Sequence, residues 1–242
     1  MRRFLVFAAV VLASVAACTD ATQAPEYLRR GLSADPATLD PQHARSVAAL
    51  KVLGDVYEGL LTRDASGNSV PGAAQSWEVS GDGTRYTFTL RDDARWQDGS
   101  PVTAADFLRG WRHLADPANA AFYADLLRPV VGADAIAAGD AAPNTLGIAA
   151  PDIHTVVITL TRPQADFLQR LGHPALVPRH VDAEPPFANG AYEVVERGPG
   201  RILLERNVAF HAAGSVAIGQ GEYRAFEQEA TEYRAVRAGE LD

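Results

Sequence analysis

Residues 86–107 read YTFTLRDDARWQDGSPVTAADF, and this stretch carries the clearest structural signals in the chain. Its first five residues alternate between apolar and polar side chains, as in a strand that buries one face. Asp98-Gly99 is a turn signal. Thr103 stands three residues before a carboxylate, which is a weakened capping box at the start of a helix. The stretch therefore predicts a strand, a turn and then a helix over residues 104–114.

The flanking sequence extends this series of strands and helices. Upstream, Trp77 and Val79 mark a second strand, and Gly81-Asp82-Gly83 supplies the turn of an antiparallel hairpin. Apolar residues spaced three and four apart predict an amphipathic helix over residues 46–61. The remaining predicted elements are strands over residues 27–32, 156–160, 192–195 and 202–205, helical pieces over 118–140 and a helical segment over 163–171.

The beginning of the chain has the features of an export signal followed by a tether. A short positive start precedes an apolar run over residues 4–15, which is too short to span a bilayer because a span needs roughly 20 residues. Val15-Ala16-Ala17-Cys18 resembles a bacterial lipobox, in which the cysteine is lipidated and becomes the new N-terminus. We therefore predict a signal peptide over residues 1–17, lipidation of Cys18 and a polar tether over 18–26.

The composition argues against several classes of function. The chain has a formal net charge of −8, and such a surface repels nucleic acid and anionic lipid. Its single cysteine excludes an internal disulfide. Gly-x-Ser-x-Gly and phosphate-loop motifs are absent, and the six histidines lack metal-ligand spacing. We therefore expect no catalytic residue, no metal and no cofactor, with a secreted hydrolase kept as an alternative hypothesis.

Eight short phrases stand in a fixed order along the chain. They are SADPATLDP at 33–41, YEGLL at 57–61, PGAAQSW at 71–77, YTFTLR at 86–91, WQDGSPVTAADF at 96–107, NGAY at 189–192, LLERN at 203–207 and AGELD at 238–242. Each phrase alone is weak evidence. Together, in this order and spacing, they resemble the extracellular solute-binding proteins of family 5, the oligopeptide- and dipeptide-binding type.

The resemblance implies an α/β fold of the periplasmic-binding-protein-like kind (type II, cluster C). Residues 27–242 would then be an incomplete family domain, with residues 27–47 and 177–242 in the first lobe and about 48–176 in an extra subdomain. The family continues beyond the last phrase into a second lobe, so we expect the second lobe to be missing and sheet edges to be left unpaired. We also expect the isolated chain to bind peptide weakly or not at all.

The resemblance also implies a function and a location. The chain is expected to be a monomeric, lipid-anchored protein of the periplasm or cell surface. It would capture oligopeptides or dipeptides and deliver them to the permease subunits of an ABC importer, without being an enzyme. The alternative hypotheses are a surface lipoprotein with a sensing or chaperone role, and a binder of nickel, haem or sugar.

Five residues match positions that lie near the ligand in the family. Arg45, Ser46 and Val47 match the segment that runs alongside the bound peptide backbone. Tyr123 matches a tyrosine that faces the cleft, and His173 falls near a loop that lines it. The aspartate that pairs with the peptide amino terminus in the family would lie in the part not present here. The resemblance therefore predicts one wall of a peptide cleft.

Overall fold

The computed structural model of the protein describes residues 27–242, so the predicted signal peptide, Cys18 and the tether lie outside the described residues. The described chain alternates short strands and helices. The strands are β1 (Tyr27–Leu32), β2 (Leu61–Arg63), β3 (Ser69–Pro71), β4 (Ala74–Val79), β5 (Arg85–Leu90), β6 (Ile148–Ala149), β7 (Thr155–Thr159), β8 (Tyr192–Gly198), β9 (Arg201–Arg206) and β10 (Gln220–Ala225). The helices are α1 (Val47–Val56), α2 (Ala104–Ala115), α3 (Ala133–Ala137), α4 (Phe167–Arg170) and α5 (Glu229–Arg237).

The first sheet has four strands in the order β1-β10-β9-β8. β1 runs parallel to β10, with Tyr27 opposite Gln220 and Leu32 opposite Ala225. The other neighbours pair antiparallel. A parallel pair needs a long connection between its strands, and here the connection contains every element from α1 to β9. Within residues 27–242, β1 and β8 form the two edges of this sheet.

The second sheet also has four strands, in the order β4-β5-β7-β6. Its central strand β5 lies antiparallel to both neighbours, and Phe88 is paired with Trp77 on one side and Val156 on the other. Tyr86, Phe88 and Leu90 are all buried. The alternation at the start of residues 86–107 therefore places one face of β5 in the core, as the sequence predicts.

A third, two-stranded sheet pairs β2 with β3 antiparallel. One continuous apolar core joins the two four-stranded sheets. It includes Ile202 and Tyr223 from the first sheet, Phe88 from the second sheet, and the buried faces of α1 and α2. Trp111 on α2 is fully buried and donates its indole N–H to the Leu176 carbonyl oxygen at 2.9 Å. No helix within residues 27–242 has both the length and the apolar character needed to cross a bilayer.

Most of the predicted elements are confirmed. The hairpin of β4 and β5, the helix from residue 104 and the strands near residues 27, 156, 192 and 202 are present, and helical pieces occur between 118 and 140. At the start of α2, the Asp106 carboxylate accepts hydrogen bonds from the Thr103 N–H at 2.8 Å and hydroxyl at 3.0 Å. Asp98 shapes a turn, because it accepts a hydrogen bond from the Ser100 N–H at 2.9 Å.

Two predicted helices are shorter than the sequence pattern indicates. The helix predicted over residues 46–61 ends at Val56, and Tyr57 is already extended with φ −118° and ψ 146°. The Glu58 N–H donates to the Asn189 side-chain oxygen at 3.1 Å instead of to a helix carbonyl. This distant partner ends the helix. The segment predicted over residues 163–171 is helical only at Phe167–Arg170.

Candidate ligand-binding surface

The start of α1 presents the first candidate residues. Ser46 has extended backbone and its hydroxyl accepts a hydrogen bond from the Ala49 N–H at 3.1 Å, so it is the N-cap of the helix. Val47 follows at the first helical position and remains 66% exposed, although Ala48 and Ala49 are buried. An apolar side chain with this much exposure, directly after a fixed cap, can contact a ligand without rearrangement of the helix.

Arg45 leads into a row of aromatic rings. Its guanidinium lies over the Phe122 ring, 4.7 Å from the centroid, in a cation–π contact. The Phe122 ring is edge-on to Tyr123 at 4.8 Å, and the Tyr123 ring lies 4.3 Å from the imidazole of His173. We name these four side chains, Arg45, Phe122, Tyr123 and His173, the aromatic row. It brings together three of the five candidate residues from three separate segments of the chain.

The segment that carries Phe122 is tied to the loop before α1. The Phe122 N–H donates to the Gln42 carbonyl oxygen at 3.0 Å. The Gln42 side chain is buried, donates to the Gly110 carbonyl oxygen at 2.7 Å and contacts His113 at 2.6 Å. Nearby, His43 contacts the Asn119 carbonyl oxygen at 2.9 Å. These bonds fix the distance between Arg45 and Phe122, so the stack of their side chains is built into the fold.

His173 ends the row with a defined tautomer. Its Nδ1 accepts a hydrogen bond from the Ala175 N–H at 3.1 Å. Burial, together with the positive charge of Arg63, lowers the pKa of His173 below its ordinary value. The imidazole is therefore neutral at pH 7, and its proton is on Nε2. Because Nδ1 faces the Ala175 N–H, the Nε2–H on the other side of the neutral ring can donate a hydrogen bond to a ligand carbonyl.

Two surface grooves flank the aromatic row. One, of about 400 Å³, lies beside Arg45 and is also lined by Asp35, Thr38, His43 and Ser46. The other, of about 430 Å³, lies beside His173 and is lined by residues such as Arg63, Leu126 and Pro174. Each volume is within the range of small-molecule sites. The row separates two concave areas, each able to hold part of an extended ligand.

The family phrases around Glu58 and Asn189 do not contribute to the aromatic row. Asn189 brackets the Glu58 backbone, accepting from its N–H at 3.1 Å and donating to its carbonyl oxygen at 2.8 Å. Asn207 donates to the Gly190 carbonyl oxygen at 3.0 Å. These bonds hold the end of α1 against the strand pair of β8 and β9. The phrases therefore build a structural junction between α1 and the first sheet.

The sequence predictions missed Phe122. Phe122 lies between Arg45 and Tyr123 and links Arg45 to the rest of the row. Its ring is 51% exposed, so the row includes an apolar surface that a ligand can contact. The one signal in the sequence was its position next to Tyr123. Within residues 27–242, no cluster of three or more His, Cys, Asp or Glu side chains could hold a metal ion.

Comparison with known proteins defines the class of this protein. The sequence model described as "Bacterial extracellular solute-binding proteins, family 5 Middle" matches residues 68–242. The chain therefore belongs to the bacterial extracellular solute-binding proteins of family 5. The relatives that the chain matches are named as binding proteins, not as enzymes.

Several relatives are similar over most of the described residues. The chain is 34% identical to the periplasmic oligopeptide-binding protein OppA of Salmonella typhimurium over an alignment of 259 positions. The alignment covers 98% of this chain and 47% of the relative. It is 35% identical over 231 residues to an Escherichia coli protein described as "Probable deoxycholate-binding periplasmic protein YgiS". This alignment covers 90% of this chain and 43% of the relative.

The solved structures confirm the predicted fold class. Haemophilus influenzae OppA in complex with the peptide RPPGFSPFR superposes with a TM-score of 0.87 at 35% identity, covering 90% of this chain and 45% of that chain. The Escherichia coli murein tripeptide binding protein MppA superposes with a TM-score of 0.85 at 33% identity, covering 89% and 45%. The chain spans about half the length of the curated relatives it matches.

Proposed function

We propose that this chain forms one wall of a peptide-binding cleft in the substrate-binding component of an ABC importer. The observation that carries the proposal is the aromatic row beside the exposed Val47, because it places apolar, cationic and hydrogen-bonding groups on one surface. The relatives OppA and MppA, an oligopeptide-binding and a murein tripeptide binding protein, support a peptide as the ligand.

The backbone before α1 is suited to an extended peptide. Within the described residues, the main-chain N–H and C=O of Arg45 make no hydrogen bond to another residue. Unpaired backbone groups of this kind can pair with a peptide as an added strand, which gives affinity without dependence on the peptide sequence. Val47 would then contact a peptide side chain, and Tyr123 and His173 would contact the next part of the ligand.

We propose that residues 27–47 and 177–242 form the first lobe and that residues of about 48–176 form an extra subdomain. The division is supported by the sheets, because the first sheet uses strands from residues 27–32 and 192–225, whereas the second uses strands from residues 74–159. The candidate residues lie on both sides of this division. The cleft wall would thus include the boundary between the two parts.

The location and partners complete the proposal. The protein is proposed to act as a monomer in the periplasm, attached to a membrane through lipid on Cys18, and to deliver its ligand to permease subunits. The periplasmic location is supported by the OppA relatives, which are periplasmic binding proteins. The lipid anchor is supported by the resemblance of residues 15–18 to a lipobox.

Binding can be tested with the full chain extracted from bacterial membranes in detergent. Titration of a fluorescent tripeptide pool, followed by anisotropy, should show weak but saturable binding that Val47→Asp weakens further, by at least about tenfold, because a charge replaces an apolar contact. Val208→Asp is the matched control, since Val208 is 82% exposed and lies outside the aromatic row. Equal loss in both variants, or binding of deoxycholate but no peptide, would overturn the proposal.

A further inference from the structure

Arg45 is the charged end of the aromatic row, and its charge is not neutralised locally. Its guanidinium lies on the Phe122 ring, and no carboxylate within residues 27–242 is within ion-pair distance of it. By contrast, Arg109 and Arg201 contact carboxylates at 2.6 Å. A guanidinium that stacks by its face keeps the N–H groups at its edge available for a planar acceptor.

The surroundings of Arg45 leave this charge directed at the surface. The first turn of α1 has no acidic residue. Asp35 is the one carboxylate among the residues that line the groove beside Arg45, and it accepts a hydrogen bond from the Gly200 N–H at 2.9 Å. A bond to a neutral donor leaves the negative charge on Asp35, so Asp35 favours a cationic ligand and opposes the effect of Arg45.

Geometry decides between these two opposed charges. Arg45 lines the groove and stacks on Phe122, whereas Asp35 is tied to the turn between β8 and β9. A ligand that contacts the Phe122 ring therefore also meets the Arg45 guanidinium. Phe122 is a positioning residue here, because its ring restricts the rotamers of the Arg45 side chain and so reduces the entropy lost on binding.

We propose that this protein selects peptides that place a carboxylate against Arg45, beside apolar contacts with Phe122 and Val47. This inference rests on the proposed function and names the substrate class for the same site. The carboxylate can belong to a Glu or Asp side chain or to the peptide C-terminus. Both sources supply the same planar acceptor for the guanidinium edge.

The test compares tripeptides of equal length with Glu, Gln or Lys at the central position, each with a free or an amidated C-terminus. With the full chain in detergent, the Glu peptide should bind about three- to tenfold more tightly than the Gln peptide, the range expected for an exposed, hydrogen-bonded ion pair. The Lys peptide should bind most weakly. Weaker binding of the amidated than of the free peptides assigns the carboxylate to the C-terminus, whereas a preference for Glu over Gln assigns it to the side chain.

Variants separate Arg45 from the net charge of the protein. Arg45→Gln should abolish the preference for Glu over Gln, and Arg45→Glu should reverse it in favour of Lys. Phe122→Leu should reduce the preference while keeping an apolar side chain. Arg237→Gln is the matched control, because Arg237 is exposed at the end of α5 and should leave the preference unchanged.

The outcomes distinguish this inference from the proposed function. Saturable peptide binding that changes neither with Glu in place of Gln nor with amidation, or that favours Lys, would overturn the role of Arg45 and leave the proposed function standing. A preference for Glu that survives in Arg45→Gln would also overturn it. Absence of binding to every peptide would overturn the proposed function and this inference with it.

Discussion

The Glu58 carboxylate and the His211 imidazole are 3.0 Å apart, between Oε2 and Nε2, although 153 residues separate them in the sequence. Both side chains are almost completely buried, at 10% and 11% exposure. Glu58 follows the end of α1, and His211 follows β9. The pair therefore joins the segment that leaves α1 to the segment that follows β9.

Removing one partner of this pair should destabilise the fold. In His211→Leu, the Glu58 carboxylate would lose its only hydrogen-bond partner within the described residues, and we expect the free energy of unfolding to fall by about 3 kcal/mol. Urea unfolding, followed by circular dichroism, measures this change. The double variant Glu58→Gln with His211→Leu should lose less free energy of unfolding than the two single variants lose in sum. A loss equal to that sum would show that the two side chains act independently.

Gly190 should not tolerate any side chain. A Cβ at this position would lie 2.8 Å from the carbonyl carbon and oxygen of Val56, which are backbone atoms and cannot move aside easily. Gly190→Ala should therefore cost about 3 kcal/mol of stability, the upper range for overpacking. Gly54→Ala is the control, since Gly54 is exposed on α1 with open space around it, and it should stabilise the protein by about 0.5–1 kcal/mol. The melting temperature should fall in Gly190→Ala and rise in Gly54→Ala. Equal shifts in the two variants would contradict the steric role of Gly190.

Glu222 should make the stability depend on acidic pH. Burial on its own raises the pKa of Glu222, but hydrogen bonds from Arg224, Tyr27 and Arg201 outweigh it and lower the pKa from 4.5 to about 2. Because the folded state holds the charged form, this stabilisation is complete above pH 4.5 and is lost as the pH falls toward 2, by up to about 3 kcal/mol.

The variant Glu222→Gln tests this pH dependence. Its free energy of unfolding should decline less than that of the unchanged protein between pH 4.5 and pH 2, because the titrating group has been removed. Glu227→Gln, at an exposed position of the same region, should keep the full decline. If the free energy of unfolding falls equally in Glu222→Gln and in the unchanged protein between pH 4.5 and pH 2, other groups cause the decline.

Cys18 should hold the protein at a membrane. In cells that express the full chain, we expect the protein in the membrane fraction, with acyl chains on the N-terminal cysteine, because one chain alone gives marginal binding and several give stable attachment. Cys18→Ser should move the protein to the soluble fraction and remove the acyl mass from its N-terminal peptide. Membrane attachment that persists in Cys18→Ser would contradict lipidation at this residue.

The fold could be predicted from local sequence patterns and from the family phrases. The ends of the helices and the arrangement of the ligand-binding surface could not. The alternation in β5 and the cap at Thr103 depend on neighbours in the sequence, so both were predicted. The end of α1 was not, because the bond that stops the helix comes from Asn189, 131 residues away. Phe122 was missed for the same reason, since its exposed ring has meaning only beside Arg45 and Tyr123.

The parallel pairing of β1 with β10 also has a consequence for the timing of folding. Arg30 and Tyr223 are partners in this pair and are separated by 193 residues. A chain that leaves the ribosome from its N-terminus has made β1 long before β10 exists, whereas all strands of the second sheet lie within residues 74–159. Distant pairings must overcome a large loop-closure entropy and form slowly. We therefore expect the second sheet to fold first, and β1 to stay accessible to chaperones until late in synthesis.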